Sequence, residues 1–358
     1  MSPGIASFRL GEIVALARAR GASDVHLAGG AVPVARVHGV IERLPTTVLG
    51  RDDVGALVCD VFSEDERRIL ATRGDVSAGL ARPQLGRLRV HAYRSGGDAC
   101  LAVRLLPDAI PTLESLGLPH AVAALTGSHH GLILFAGPTG SGKSTTLAAF
   151  VDRINEASAR AVITIEDPIE YRLDPKRSLI RQRQLGNDVV GYEEAVCGAL
   201  RSDPDVIVIG EMREMATMRA ALVAAETGHL VASSVHTSGA VATVSRIVDA
   251  FAPEQQNAVR TQLSQVLVAI VSQRLVPRRG GGRRCAAEVL IADDATRAIV
   301  RDGKLHQLRN VIATSREIGM QTFEDHLASL VGNGEVTLSD ALRFADHPAE
   351  IDRYATTA

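Results

Sequence analysis

Apolar residues at Leu10, Ile13, Val14, Leu16 and Ala17 recur at helical spacing, and Gly21 then supplies a stop, so a first helix is predicted over 5–20. From Val25 to Leu44 the pattern changes to short β-type runs broken by Gly29, Gly30, Pro33 and Gly39. Further strand-like runs cover Gly86–Tyr93 and Ala99–Leu106. These segments predict a small mixed sheet. Pro107, Pro111, Gly117 and Pro119 then punctuate a stretch that can continue neither a sheet nor a long helix, which places a linker at 107–119 between a domain at 1–106 and another at 120–358.

Beyond the linker the order is GLILFAG, a helix from about Lys143, AVITIE, DVIVIGE, a second helix and LVASSVH. Continuous apolar runs separated by helical patterns predict parallel strands buried on both faces and covered by helices, an α/β class. From Pro253 onward Val259, Leu263, Val266, Leu267, Ile270 and Val271 fall on one helical face, and the chain reads as largely helical over about 253–358. PRRGGGRR at 277–284 reads as a flexible basic turn. No internal repeat is visible.

Composition narrows the class of protein. A chain of 358 residues, 46% hydrophobic and 22% charged, has the size and balance of a soluble globular protein with two or three domains. A net charge of -2 and an aromatic share of 3% provide neither the positive field nor the stacking surfaces of a nucleic-acid motor, so no nucleic acid is expected as a partner. Cys59, Cys100, Cys197 and Cys285 form no C-x-x-C pair, which argues against a zinc site or a disulfide framework. With no basic segment followed by an apolar run at the start and no stretch of about 18 apolar residues, the expected location is the cytoplasm.

The strongest chemical signal is Gly137-Pro138-Thr139-Gly140-Ser141-Gly142-Lys143-Ser144-Thr145, which directly follows an apolar strand and opens an amphipathic helix. Its glycines allow successive backbone N–H groups to curl around phosphate oxygens at the positive end of a helix. Lys143 is expected to reach the β and γ phosphates of ATP, and Ser144 to offer its hydroxyl to Mg²⁺. Leu147, Phe150, Val151 and Ile154 would fasten the helix to the sheet.

Hydrolysis also requires an oriented water, so acidic groups must stand near the γ phosphate. Two predicted strands end in carboxylates, AVITIE at Glu166-Asp167 and DVIVIGE at Glu211. Glu211 is expected to hold Mg²⁺ through a water and Glu166 to polarise the attacking water, although the two roles could be exchanged. His236 ends the next strand and His229 precedes it, and a neutral imidazole there could sense the γ phosphate.

Together, GPTGSGKST, ITIEDPIEY at 163–171, IGEMRE at 209–214 and ETGHLVASSVHT at 226–237 resemble the bacterial ATPases of type II secretion and type IV pili, in which they correspond to the Walker A, Asp box, atypical Walker B and His box. The resemblance extends to ASDVHL at 22–27, RLRVHAYR at 87–94, KLHQL at 304–308 and TLSDALRFAD at 337–346, nearly the whole chain. It points to the PilT-like pilus retraction branch.

That branch implies a small PAS-like α+β N-terminal domain, a RecA-like P-loop core with a helical C-terminal region, and a hexameric ring with nucleotide sandwiched between domains. It also implies phosphate contacts from arginines at the matching positions, Arg87, Arg89, Arg94, Arg104, Arg201 and Arg213. The implied partners are an inner-membrane pilus platform protein and a paralogous ATPase. Assembly and type II secretion members typically carry an added N-terminal domain and a tetracysteine zinc module; neither pattern occurs in these residues, which favours retraction. Glu214 stands where Asp is usual, and RQRQLGNDVV at 181–190 is less typical. An assembly or secretion motor, a RecA-like nucleic-acid motor and a non-hydrolysing nucleotide-binding scaffold are the alternatives.

Overall fold

In a computed structural model, residues 3–37, 39–107 and 109–355 are described, and they divide into two compact units, Met1–Ala109 and Ile110–Ala358. In the first unit, α1 (Pro3–Ala19) leads into β1 (Ala22–Ala28), β2 (Val34–Val37) and β3 (Val40–Arg43). Then come α2 (Arg51–Val61), α3 (Glu64–Arg73), β4 (Asp75–Arg82), β5 (Gly86–Ser95) and β6 (Asp98–Leu105). The six strands form an antiparallel sheet in the order β3-β2-β1-β6-β5-β4.

Alternation decides which face of this sheet is buried. Leu88, Val90 and Ala92 on β5, with Leu101, Val103 and Leu105 on β6, join Leu10, Ile13 and Val14 of α1 and Leu57 of α2 in one core. The helices α2 and α3 occupy a stretch whose periodicity predicted nothing. Local chemistry bounds α3: Ser63 and Glu66 form a reciprocal capping box, and Gly74 ends the helix at φ +91°.

The second unit begins with α4 (His120–Ala124), β7 (Gly131–Ala136), α5 (Lys143–Ala157), β8 (Ala161–Glu166) and β9 (Leu179–Gln184). It continues through α6 (Tyr192–Ala199), β10 (Val206–Ile209), α7 (Met215–Glu226), β11 (Leu230–Val235), α8 (Ala240–Asp249) and α9 (Pro253–Val266). After β12 (Leu267–Pro277) and β13 (Arg283–Ile291) come α10 (Asp294–Asp302), α11 (Leu308–Thr314), α12 (Phe323–Gly332), α13 (Leu338–Phe344) and α14 (Pro348–Ala355).

The sheet order is β13-β12-β7-β11-β10-β8-β9, parallel throughout except for β13. Every residue of β7, β10 and β11 is buried, as expected of strands covered on both faces. Phe150 of α5 packs edge-on against Phe135 of β7, with ring centroids 5.5 Å apart, and this contact helps to fasten the helix to the sheet.

The stretch from Pro253 is not continuously helical. The helix α9 stops at Val266, and Leu267, Ile270 and Val271 lie on β12 rather than on a helical face. A strand buried on both faces carries no period of two, so its apolar residues can match helical spacing by coincidence. PRRGGGRR forms the hairpin between β12 and β13, with Gly280, Gly281 and Gly282 all at positive φ. From Asp294 onward the regular elements are helices.

Candidate functional site

The phosphate loop joins β7 to α5. Gly137 adopts φ +148°, and a Cβ there would collide with the Gln273 carbonyl and the Ser141 hydroxyl; only glycine lets the chain turn this close to β12. Gly140 faces open space. Pro138, Thr139, Gly140 and Ser144 are exposed at the mouth, whereas Ser141 and Lys143 are buried.

Lys143 Nζ donates to the carbonyls of Gly137 (2.8 Å) and Pro138 (2.9 Å). Burial pushes the lysine pKa down, and the nearby Glu211 and Glu170 carboxylates pull it back up. The loop is braced from below by Gln273, whose Nε2 donates to the Ser141 carbonyl at 2.8 Å. Thr145 contacts the Tyr171 hydroxyl at 2.8 Å.

Parallel pairing brings the ends of four strands to the same edge. Ile165 of β8 pairs with Ile209 of β10, Ile209 with Ser233 of β11, and Val235 of β11 with Ala136 of β7. Glu166, Glu211, His236 and the phosphate loop therefore emerge side by side, at the carboxyl ends where ligands of such sheets gather.

Their contacts form a connected string. The Thr139 hydroxyl lies 3.4 Å from His236 Nδ1, His236 Nε2 lies 3.2 Å from Glu211 Oε2, and Arg213 Nε lies 2.8 Å from Glu211 Oε1. A carboxylate can only accept, so a neutral His236 presents Nε2–H to Glu211 and leaves Nδ1 to accept from Thr139. Gly210 lets the end of β10 lie close to β8 and Tyr192, because a Cβ there would press on the Tyr192 hydroxyl at 3.1 Å and the Ile165 carbonyl at 3.2 Å.

Glu166 sits in a different environment. Its Oε1 accepts from Thr164 Oγ1 at 2.6 Å and from Gln182 Nε2 at 3.0 Å. Burial pushes the carboxyl pKa up, while those two donors and the Glu170 backbone N–H oppose the shift. The Tyr192 hydroxyl is also pushed up, first by burial and then by Glu211, Asp167 and Glu166, which locates the phenol among the acids.

Two of the expected residues lie elsewhere in the chain. His229 precedes β11, at the opposite end of the strand from His236, about 20 Å away for six residues of strand. Its Nδ1 contacts the Ala224 carbonyl at 3.0 Å and the Thr227 hydroxyl at 3.2 Å. Arg201 lies on the approach to the start of β10 and shares that far edge. A parallel strand separates what flanks it, so neither joins the phosphate loop of its own chain.

In the first unit Arg87 and Arg89 lie on β5, and Arg89 pairs across the ladder with Arg104 of β6. Arg104 Nε is held by Asp24 at 2.9 Å, and Arg94 donates to the Gly97 carbonyl at 3.2 Å.

The family described as Type II/IV secretion system protein matches residues 84–281. The type IV pilus retraction ATPase PilT of Pseudomonas aeruginosa is 39% identical over 94% of this chain and 98% of its own length. This chain belongs to the type II/IV secretion family. A twitching motility protein of Neisseria gonorrhoeae is 40% identical over 88% of this chain and 84% of its own. A crystal structure of the pilus retraction motor PilT with bound ADP superposes with a TM-score of 0.87 at 42% identity, covering 96% of this chain and 98% of that one.

For this type II/IV secretion family member, pattern reading missed several residues around the site: Gln273, Thr164, Gln182, Tyr171 and Tyr192. Gln182 and Gln273 act across strand neighbours far apart in sequence, which no local motif encodes. The polar Ser272-Gln273-Arg274 step between the apolar LVAIV and LVP was the available signal for Gln273. Among the described residues no group of three or more His, Cys, Asp and Glu could hold a metal ion, and no helix is long and apolar enough to cross a membrane. A magnesium ion carried largely by a nucleotide's phosphates and water does not need such a cage.

Proposed function

We propose that this chain is a MgATP-hydrolysing motor that powers type IV pilus retraction, working as a homohexamer at the inner face of the inner membrane. The observation that carries the reading is the convergence of the phosphate loop, the His236–Glu211–Arg213 string and the partly buried Glu166 at one sheet edge. The glycine cradle, with its exposed Ser144 at the first turn of α5, fits a triphosphate and its metal. Ser144 and, through water, Glu211 would hold Mg²⁺, which neutralises charge on the β and γ oxygens when bound.

Lys143 turns from the Gly137 and Pro138 carbonyls to the phosphate oxygens. Water then attacks the γ phosphorus, the bond to the β-phosphate oxygen breaks, ADP departs with that oxygen, and the water proton passes to a carboxylate. Glu166 is the base in this reading, because burial raises the proton affinity of its carboxylate, whereas Glu211 is occupied by Arg213 and His236. Glu211 and His236 report the γ phosphate to the loop through Thr139. One or more of Arg87, Arg89, Arg94, Arg104 and Arg201, and His229 with them, contribute across a subunit boundary; Arg213 acts through Glu211.

The mechanical partner in this reading is a platform protein of the inner membrane, and a paralogous ATPase can share the work. Substituting Glu166→Gln is expected to lower ATP turnover by about 10³-fold with nucleotide binding retained. Turnover at the parent rate would remove Glu166 from the chemistry. Deleting the gene should leave surface pili more numerous; their disappearance would instead assign the chain to assembly.

A further inference from the structure

The turn that follows His236 is anchored by residues outside the four sequence boxes. Gly239 N donates to the Ser272 hydroxyl at 2.9 Å, and Ala240 N donates to Glu288 Oε1 at 2.7 Å. From the first turn of α8 the Thr243 hydroxyl donates to the Gly239 carbonyl at 2.8 Å and meets Thr237 Oγ1 at 2.7 Å. Gly239 itself lies at φ +92°, so the backbone there is held in a conformation that an L side chain would resist.

Sheet register explains why these anchors reach the turn. Val235 pairs with Ala136, Ala136 with Ser272, and Ser272 with Glu288, so one row crosses from the root of the His236 turn, through the root of the phosphate loop, to Glu288. The Glu288 carboxyl is partly buried, which pushes its pKa up, and the first N–H of α8 donates to it at the positive end of the helix dipole and opposes that shift. At its other end α8 is fixed by packing: Val244, Ile247 and Val248 share a core with Leu308 and Ile312 of α11. The KLHQL segment at 304–308 thus runs into the same packed unit.

We propose that Glu288, assisted by Ser272, is a positioning residue that sets the start of α8 and thereby aims His236 at Thr139 and Glu211. This rests on the hydrolytic reading above. Glu288 touches neither the phosphate loop nor the acids; it acts through the 237–240 turn. Its effect therefore belongs in the rate of the chemical step rather than in nucleotide affinity.

The test compares Glu288→Ala, Glu288→Gln and Ser272→Ala in the full-length protein, with ATP turnover, ADP affinity and amide hydrogen exchange over 236–243. Glu288→Ala should lower kcat about tenfold at nearly unchanged KM and ADP affinity, and raise exchange at Gly239 and Ala240. Glu288→Gln keeps an acceptor for Ala240 N and should retain most of the rate; Ser272→Ala should fall between them. Combined with His236→Ala, Glu288→Ala should add little further loss, since the two act in series.

Parental kcat in Glu288→Ala, full additivity with His236→Ala, or a loss of ADP affinity matching the loss of rate would each overturn the assignment. A parent protein that binds ATP without turning it over would sink the proposed function as well. Parental turnover with an indifferent Glu288→Ala sinks this inference alone.

Discussion

The two sheets of this chain assign stability and chemistry to their residues in different ways. In the first unit one sheet face is buried and the other carries Arg87, Arg89 and Arg104, so neighbouring residues on a strand divide the two roles. In the second unit β7, β10 and β11 are buried on both faces, and polar chemistry is confined to the loops at their ends. Mutations should therefore separate fold from function along a strand in the first sheet, but only at strand termini in the second.

The largest effect expected tests the second half of that contrast. Lys143→Ala removes the ammonium that reaches for phosphate but leaves the apolar face of α5 in place, so ATP turnover should drop by about 10³-fold in a steady-state assay. The melting temperature without nucleotide should change little. A collapse of stability matching the loss of turnover would show that loop and core are not separable here.

The first sheet offers a paired test one residue apart. Leu88 is fully buried, and Leu88→Ala should cost about 2–5 kcal/mol in chemical denaturation of the first unit's core. Arg89, on the other face of the same strand, should cost within about 0.5 kcal/mol when changed to Ala. Under the proposed function Arg89→Ala lowers turnover only if that arginine reaches phosphate in the assembled ring. Equal losses of stability at the two positions would erase the distinction between the faces.

How far the sequence could be read follows the same division. The phosphate loop is contiguous and depends on local backbone geometry, so Gly137 to Thr145 could be recognised without any knowledge of neighbours. The strands of the first sheet showed themselves by alternation at Leu88, Val90 and Ala92. In contrast, β12 lacks a polar face, and Leu267, Ile270 and Val271 matched a helix because burial on both sides removes the period on which the distinction depends.

Position along a strand was harder to weigh than residue type. His229 and His236 stand in one short segment with the same chemistry, yet parallel pairing sends them to opposite edges. Gln182 and the brace Gln273 owe their roles to strand pairing, Thr164 reaches Glu166 from two residues back on the same strand, and Glu288 reaches the His236 turn only because of the β12–β13 register.

The smallest effect expected is a change of pH profile, and it tests whether strand-end chemistry is tuned by residues within the sheet. Gln182 donates from β9 to Glu166 and opposes the upward push of burial on that carboxyl. The base must be deprotonated to accept the water proton, so activity falls as pH drops through its pKa. Gln182→Leu removes a donor that favours the charged form; the pKa rises further, and the acid limb of kcat against pH should move to higher pH while the plateau at alkaline pH is largely kept. Because Gln182 also holds the Tyr171 carbonyl and the Leu173 N–H, Gln182→Glu serves as the second variant: a like charge beside Glu166 should move the same limb in the same direction. An acid limb that stays in place in both variants would remove Glu166 as the titrating base and turn attention to Glu211.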